Sequence, residues 1–304
     1  MAADGGVNVL GQQGGERWAL YNGDCVEVLR GMPDSSVDFS IYSPPFGDLF
    51  VYSDSERDMG NSSSNGEFME HYRFVVDELF RVLKPGRVIA VHCSDLPTRK
   101  FRDGVIGLAP FSDDLSAMHR AAGWILHART TVWKDPVVEM QRTKALGLLH
   151  KQLLKDSAMS RTGMPDYVLW FRKPGENAER IAHTRSELPV ELWQKWASPV
   201  WMDINQTNVL NVRMARQEQD EKHLCPLQLD LIERGIVLYS NPGDVVLSPF
   251  AGIGSEGYQA LKLGRRFVGV ELKDSYFRQA CRNLADAEAT SAYGGLLDRI
   301  EAAE

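Results

Sequence analysis

Asp244-Val245-Val246-Leu247-Ser248-Pro249-Phe250-Ala251-Gly252-Ile253-Gly254-Ser255-Glu256-Gly257 opens a unit that continues through a helical stretch to Gly264 and then Arg266-Phe267-Val268-Gly269-Val270-Glu271. The order is strand, Gly-rich turn, helix, strand, acid. In such a unit the glycines let the backbone approach a ligand closely. An acid about 20 positions on, at the end of the next strand, accepts hydrogen bonds from ribose hydroxyls. Glu271 stands in that place. Gly252, Gly254 and Gly257 also satisfy the G-x-G-x-x-G pattern, so a nicotinamide dehydrogenase competes for this reading. The Ser-Pro-Phe entry at 248–250 is not what a pyrophosphate-binding turn usually shows, and turns of this kind serve adenosine-containing ligands generally.

Upstream, the apolar run Val37-Asp38-Phe39-Ser40-Ile41-Tyr42 leaves its strand as Ser43-Pro44-Pro45-Phe46. Proline fixes its own φ and restricts the residue before it, so this stretch is held extended, with the Ser43 hydroxyl and a main-chain carbonyl side by side as acceptors. An exocyclic base amine has two N–H donors and a lone pair delocalised into its ring. Accepting both N–H bonds pulls the nitrogen toward sp³ and frees that lone pair. Phe46 supplies a face for a flipped base, a stacking contact worth about 1–3 kcal/mol. Taken alone, the four residues better suit a Pro-rich turn after an edge strand, and a second motif must decide.

Together, Ser43–Phe46 and the Ser248–Gly257 turn resemble the paired catalytic and S-adenosylmethionine motifs of DNA amino-methyltransferases, which methylate cytosine N4 or adenine N6. With the catalytic motif first, the chain resembles the permuted β class. The resemblance extends over roughly residues 18–173 and 221–287. It implies a Rossmann-like α/β fold, mainly parallel with a C-terminal antiparallel hairpin, and S-adenosylmethionine as cofactor. Ser43, Pro44, Pro45 and Phe46 are then catalytic. Asp24, in Leu20-Tyr21-Asn22-Gly23-Asp24-Cys25, approaches the cofactor's adenine. Ser248, Pro249, Phe250, Ala251, Gly252 and Gly254 form its turn, Glu271 holds its ribose, and His223, in Glu221–Leu227, covers its methionine end. Two departures stand out. The family's turn usually opens Asp-Pro-Phe, and Ser248 replaces that Asp, with Glu256 or Asp244 as candidate substitutes. Ser255-Glu256 stand where small residues are usual. Ser43 is the first letter that many cytosine-N4 enzymes carry, whereas many adenine enzymes carry Asp, so it leans the target toward cytosine.

At 304 residues, the chain suits one α/β domain with insertions. The expected division is a disordered leader over 1–16, a methyltransferase domain over 17–287 and a tail over 288–304. No apolar run approaches a membrane span, and the start lacks a signal pattern, which points to a cytoplasmic protein. Cys25, Cys93, Cys225 and Cys281 are far apart, which favours reduced thiols over disulfides or zinc. No metal is expected.

Net charge is −7, so any nucleic-acid surface must be local. From Lys134 to Lys173 eight basic residues face four acidic ones, a net of +4 against the chain's sign. Within this insertion (134–166), Thr143–Asp156 reads as a helix with Lys144, Lys151 and Lys155 on one side, flanked by Arg142 and Arg161. The lysine stripe suits the phosphates of double-stranded DNA and the two arginines could reach bases or phosphates equally well, although a solvated helix face fits the same pattern. The loop 48–66, with Tyr52, Arg57 and Asp58, follows the catalytic motif and is long enough to be functional. The segment 174–220 lies where the β class places target recognition. Its Trp193, Trp196 and Trp201 favour a small satellite core. His92 and Asp95 end a strand at the sheet's carboxyl edge and line the pocket, with neither assigned as a general base.

The competing functions are the same chemistry on RNA or a glutamine side chain, and a DNA-binding module that has lost catalysis. A homodimer and a cognate restriction enzyme both stay open.

Overall fold

The computed structural model describes residues 9–45, 65–98, 100–138, 154, 163–185, 187–210 and 226–301. The first half comprises β1 (Gly11–Gly14), β2 (Trp18–Asn22), α1 (Cys25–Arg30), β3 (Val37–Tyr42), α2 (Asn65–Val82), β4 (Leu83–Cys93), β5 (Leu96–Thr98), α3 (Lys100–Asp103), β6 (Gly107–Ala109), α4 (Phe111–Ala121), β7 (Ile125–Val132) and β8 (Asp166–Arg172). The second comprises α5 (Val190–Trp196), β9 (Val200–Trp201), α6 (Leu229–Tyr239), β10 (Val245–Ser248), α7 (Ser255–Lys262), β11 (Arg266–Glu271) and α8 (Asp274–Glu301).

Among the described residues nine strands form one sheet in the order β1-β2-β11-β10-β3-β4-β8-β7-β9, while β5 and β6 pair separately. The five strands from β2 to β4 in that order run parallel, and β8 and β7 add an antiparallel hairpin, which lies in the middle of the chain and not at its C-terminal end as expected. Alternation along the central strands sorts the core into two faces. Val88, Ala90, Val168 and Trp170 pack with Leu231, Ile236, Ala260 and Leu284 of α6, α7 and α8. Ile89, Val91, Leu169 and Phe171 pack with Leu29, Tyr72, Val76 and Leu115 of α1, α2 and α4. Helix α2 reaches that face through Phe68, Tyr72, Val75, Val76 and Leu79, the spacing of one helical stripe. Gly257 lets α7 lie tight on the sheet, since a Cβ there would come within 2.4 Å of Phe267 and 2.5 Å of Leu284.

From β3 the chain turns through α2 toward β4, and from β10 it turns through α7 toward β11, on the opposite side. The β3–β10 boundary is therefore the switch point, beside which ligands of open α/β sheets bind at the carboxyl ends. At the other end of the same strands sits a buried charge cluster. Arg87, 1 % exposed, places Nη1 3.0 Å from Asp244 and Nη2 3.4 Å from Asp38, whose Oδ1 also meets Lys84 at 2.7 Å. Asp38 accepts from the Val245 N–H as well, at 2.9 Å. Asp38, Asp244 and the exposed Glu179 lie close enough to share a cation, but Arg87 and Lys84 already supply positive charge there.

Two expected boundaries are corrected. Residues 11–14 of the leader form β1, in register with β2 from Gly11↔Asn22 to Gly14↔Ala19. Helix α8 continues through the expected tail to Glu301. The two meet: Glu288 accepts from the Arg17 N–H at 2.7 Å and the Glu16 N–H at 3.3 Å, at the β1–β2 turn. The tryptophan cluster divides. Trp201 joins the main core, 6.1 Å from Trp170, while Trp193 remains half exposed. Cys25, Cys93 and Cys281 are buried free thiols, and no helix among the described residues is long and apolar enough to cross a membrane.

Candidate active site

Parallel pairing of β3 with β10 matches Ser40 to Leu247, and Ser40 Oγ donates to the Leu247 carbonyl at 2.9 Å. Three residues beyond that pair, Ser43 and Phe250 leave neighbouring strands side by side. Phe250 packs between Tyr42 (5.9 Å) and Tyr72 (6.4 Å), whose hydroxyls bond to each other at 2.7 Å. This aromatic wall joins β3, α2 and the Gly-rich turn. Pro44 is buried, and Ser43 and Pro45 are half-buried.

Gly252 (φ +53°) and Gly254 (φ +85°) give the turn its left-handed corners. A Cβ at Gly252 would meet nothing within 4 Å, so open space lies against the backbone there. The Gly252 N–H donates to Glu271 Oε2 and the Lys273 N–H to Glu271 Oε1, both at 2.8 Å, which fixes the carboxylate beside the turn. Asn22 donates to the Glu271 carbonyl at 2.8 Å and ties the end of β2 to the end of β11. Asp24 follows directly and caps α1, with Oδ1 accepting from the Val26 and Glu27 N–H groups. The buried hydroxyls of Ser248 and Ser255 find no hydrogen-bond partner among the described residues. Open space, an acceptor at the strand end and two orphaned hydroxyls fit an adenosine-bearing ligand with a polar amino-acid end.

Of the two candidates for the missing turn carboxylate, Asp244 is ruled out by place: it precedes β10, at the opposite end of the strand from Ser248, and is bound to Arg87. Glu256 is adjacent but buried. That burial, with the charge of Glu271, pushes its carboxyl up to about 8, so at neutral pH it is mainly a neutral donor. Its pKa when folded exceeds the ordinary 4.5, so the folded state holds more protons across that window and stability falls as pH rises from about 4.5 to about 8. Glu256→Gln, which cannot ionise, is expected to lose less stability than the parent between pH 5 and pH 9, by an amount on the order of a few kcal/mol. Ligand-free thermal melts across that range check this.

At the other wall, Ser43 Oγ lies 3.1 Å from His92 Nδ1 and 3.3 Å from the His92 carbonyl. His92 Nε2 faces Asp166 Oδ2 at 3.2 Å, and Lys134 Nζ holds Asp166 Oδ1 at 2.5 Å. Burial alone would raise the Asp166 carboxyl, but His92 and Lys134 outweigh it and hold it at about 2. In the sequence, Asp166 and Lys134 count only as charges of the basic insertion. Lys134 is buried against Asp166 and is withdrawn from any phosphate surface. Lys173 is likewise directed inward, to the Leu83 carbonyl at 2.6 Å. Asp95 caps α4 by accepting from the Ser112 N–H at 3.0 Å. Phe46, His223, Arg142, Lys144, Lys151, Lys155 and Arg161, with Tyr52, Arg57 and Asp58, lie outside the described residues.

The family model described as DNA methylase, for N6 and N4 methyltransferases, matches residues 37–282, from the first residue of β3 into α8. The chain belongs to this family. Among DNA methylase relatives, DNA adenine methyltransferase YhdJ of Escherichia coli is 26% identical over 283 residues, covering 92% of this chain and 86% of YhdJ. Type II methyltransferase M.BamHI of Bacillus amyloliquefaciens is 26% identical over 265 residues, covering 83% of this chain but 54% of M.BamHI, so the chain spans about half the length of that relative. TTHA0409 of Thermus thermophilus, solved in complex with S-adenosyl-L-methionine, superposes with a TM-score of 0.65 at 25% identity, over 90% of this chain and 96% of its own. In this member of the family the ends of β3 and β10, which lead into Ser43-Pro44-Pro45 and the Gly-rich turn, meet at one switch point.

Proposed function

We propose that this chain is an S-adenosylmethionine-dependent DNA methyltransferase that acts on an exocyclic amine of a flipped base in double-stranded DNA. The observation that carries the reading is the adjacency of Ser43-Pro44 and the Gly-rich turn at the carboxyl ends of β3 and β10. Glu271 would hold the cofactor's ribose hydroxyls, Asp24 its adenine side, and the Phe250–Gly254 turn its methionine part. When bound, the cofactor supplies an electrophilic methyl group on a sulfonium. Ser43 Oγ and the Pro44 carbonyl accept the two N–H bonds of the amine and hold its lone pair toward the turn, with Phe46 as the stacking face. Binding energy goes mainly into positioning. Arg142, Lys144, Lys151, Lys155 and Arg161 are assigned to phosphates and the segment 174–220 to target recognition. Ser43, as the letter that many cytosine-N4 enzymes carry, favours cytosine N4 over adenine N6.

The test is incubation of the purified protein with unmethylated duplex DNA and S-adenosylmethionine, followed by nucleoside digestion and mass spectrometry. N4-methylcytosine is expected. N6-methyladenine would keep the reaction and correct the base. No methylated nucleoside, despite cofactor binding by calorimetry, would overturn the DNA reading in favour of an RNA, protein or non-catalytic role. Glu271→Ala is expected to weaken that binding by about tenfold or more, the loss of roughly one charge-assisted hydrogen bond.

A further inference from the structure

We propose that His92 and Asp166 set the direction of the Ser43 hydroxyl: Asp166 takes the Nε2–H of His92, the bare Nδ1 accepts the Ser43 proton, and both Ser43 lone pairs are thereby presented to the base amine. The proposal rests on the methyltransferase reading above and deepens it. In it His92 positions the Ser43 hydroxyl and receives the departing proton through Ser43, and Asp166 and Lys134 act through His92.

The geometry supplies each link. Neutral imidazole carries one N–H and one bare nitrogen, and the partner of one ring nitrogen decides which is which. Nε2 is 3.2 Å from a carboxylate that can only accept, so the proton belongs on Nε2, with the N–H angled off the ideal hydrogen-bond line. Nδ1 is then an acceptor 3.1 Å from Ser43 Oγ. Among the described residues, the other acceptor bonded to that hydroxyl is the His92 carbonyl at 3.3 Å, so both draw the Ser43 proton toward His92. Lys134 holds the second oxygen of Asp166 and pins the carboxylate at the far end of the chain. The arrangement is well shielded, with His92 7 % and Asp166 3 % exposed.

The direction matters because a serine hydroxyl can accept or donate. With Nδ1 bare, Ser43 accepts from the amine N–H. With Nδ1 protonated, the ring donates to Ser43 Oγ and occupies one of its lone pairs. If the hydroxyl proton then turned to the amine, it would tie up the nitrogen lone pair that must react. The same chain gives the departing proton a route. As the amine nitrogen bonds to carbon it becomes cationic, and its N–H proton passes to Ser43 Oγ while the Ser43 proton passes to Nδ1. Ser43 is left neutral and His92 becomes an imidazolium beside Asp166. The imidazolium later returns its extra proton to water.

The first readout needs neither variant nor turnover. In the resting protein labelled with ¹⁵N-histidine, long-range proton–nitrogen correlation should show His92, assigned by the peaks missing in His92→Ala, with Nε2 protonated and Nδ1 bare at neutral pH. Asp166→Asn should shift the ring toward the Nδ1–H form. A resting Nδ1–H or doubly protonated ring would overturn the proposal. The second readout is single-turnover methylation at saturating DNA and cofactor. His92→Ala should slow transfer by about 10²-fold, the low end of general-base effects, with KM for DNA and cofactor nearly unchanged. Asp166→Asn should slow the parent similarly yet add nothing in the His92→Ala background, because it acts through the missing ring. Multiplying losses would overturn the proposal, whatever their size. If Asp166→Asn fails to fold, the resting tautomer still decides the direction. If the parent methylates no base, the functional reading fails while the tautomer still decides the hydrogen-bond chain.

Discussion

Ser43→Ala is expected to lower methyl transfer by about 10²–10³-fold, the range found when one preorganised hydrogen-bonding group is removed from a reacting centre. Alanine keeps the extended backbone before Pro44 and removes only Oγ. The amine then loses one of its two acceptors, so its nitrogen stays nearer the planar form in which the lone pair is shared with the ring. The loss should appear in the single-turnover rate. Cofactor affinity should change by less than about threefold, because the Gly-rich turn and Glu271 are untouched. Stability should hold, since Ser43 is half-buried and its partners lie within one residue, His92. Quench-flow with labelled cofactor, beside calorimetry on the same preparation, tests both halves. A variant that turns over at the parent rate would remove Ser43 from the chemistry.

The second large effect concerns the fold. Arg87→Ala should cost about 3–5 kcal/mol, because it leaves the carboxylates of Asp38 and Asp244 buried without their shared cation. For a chain of this size that corresponds to a fall in Tm on the order of 10 °C. The fit around Arg87 is imperfect: Nε finds no partner among the described residues, and Nη2 stands at ion-pair rather than hydrogen-bond distance from Asp38. The cost therefore comes from leaving, among the described residues, Asp244 without a cation and Asp38 with Lys84 alone, more than from losing ideal bonds. Lys84→Ala should cost no more than about 1 kcal/mol, since its side chain is about a third exposed and its charge is screened. Equal losses for the two variants would show that burial of the pair is not what matters.

Much of the frame was legible locally. The run 37–42, closed by two prolines, gave strand β3 at its observed bounds. The turn at 248–257, followed by Glu271, gave β10, α7 and β11 in order. What stayed hidden depends on pairing across long separations. His92 and Asp166 meet because β4 and β8 run antiparallel with His92 opposite Val168, and Lys134 arrives because β7 pairs Val132 with Asp166. No local periodicity carries those registers, so His92 read only as a residue lining the pocket, and Asp166 and Lys134 only as charges of the basic insertion. Strand β1 was hidden for a different reason. Gly11-Gln12-Gln13-Gly14 has little intrinsic β preference and becomes a strand by pairing with β2, beside a turn bound by Glu288. Asp244 misled because sequence nearness to the turn concealed the length of a strand between them.

The aromatic wall of Tyr42, Tyr72 and Phe250 has a thermodynamic corollary. One ring belongs to the Gly-rich turn, one to the strand that delivers Ser43, and one to α2, and the two phenols share a hydrogen bond. On the proposed function, the same rings border both the cofactor and the base. Packed rings do not yield by fractions, so an occupant that shifts Phe250 redistributes the positions open to Tyr42. Linkage makes that exchange symmetric: whatever free energy the first occupant lends to seating the second, the second returns to the first.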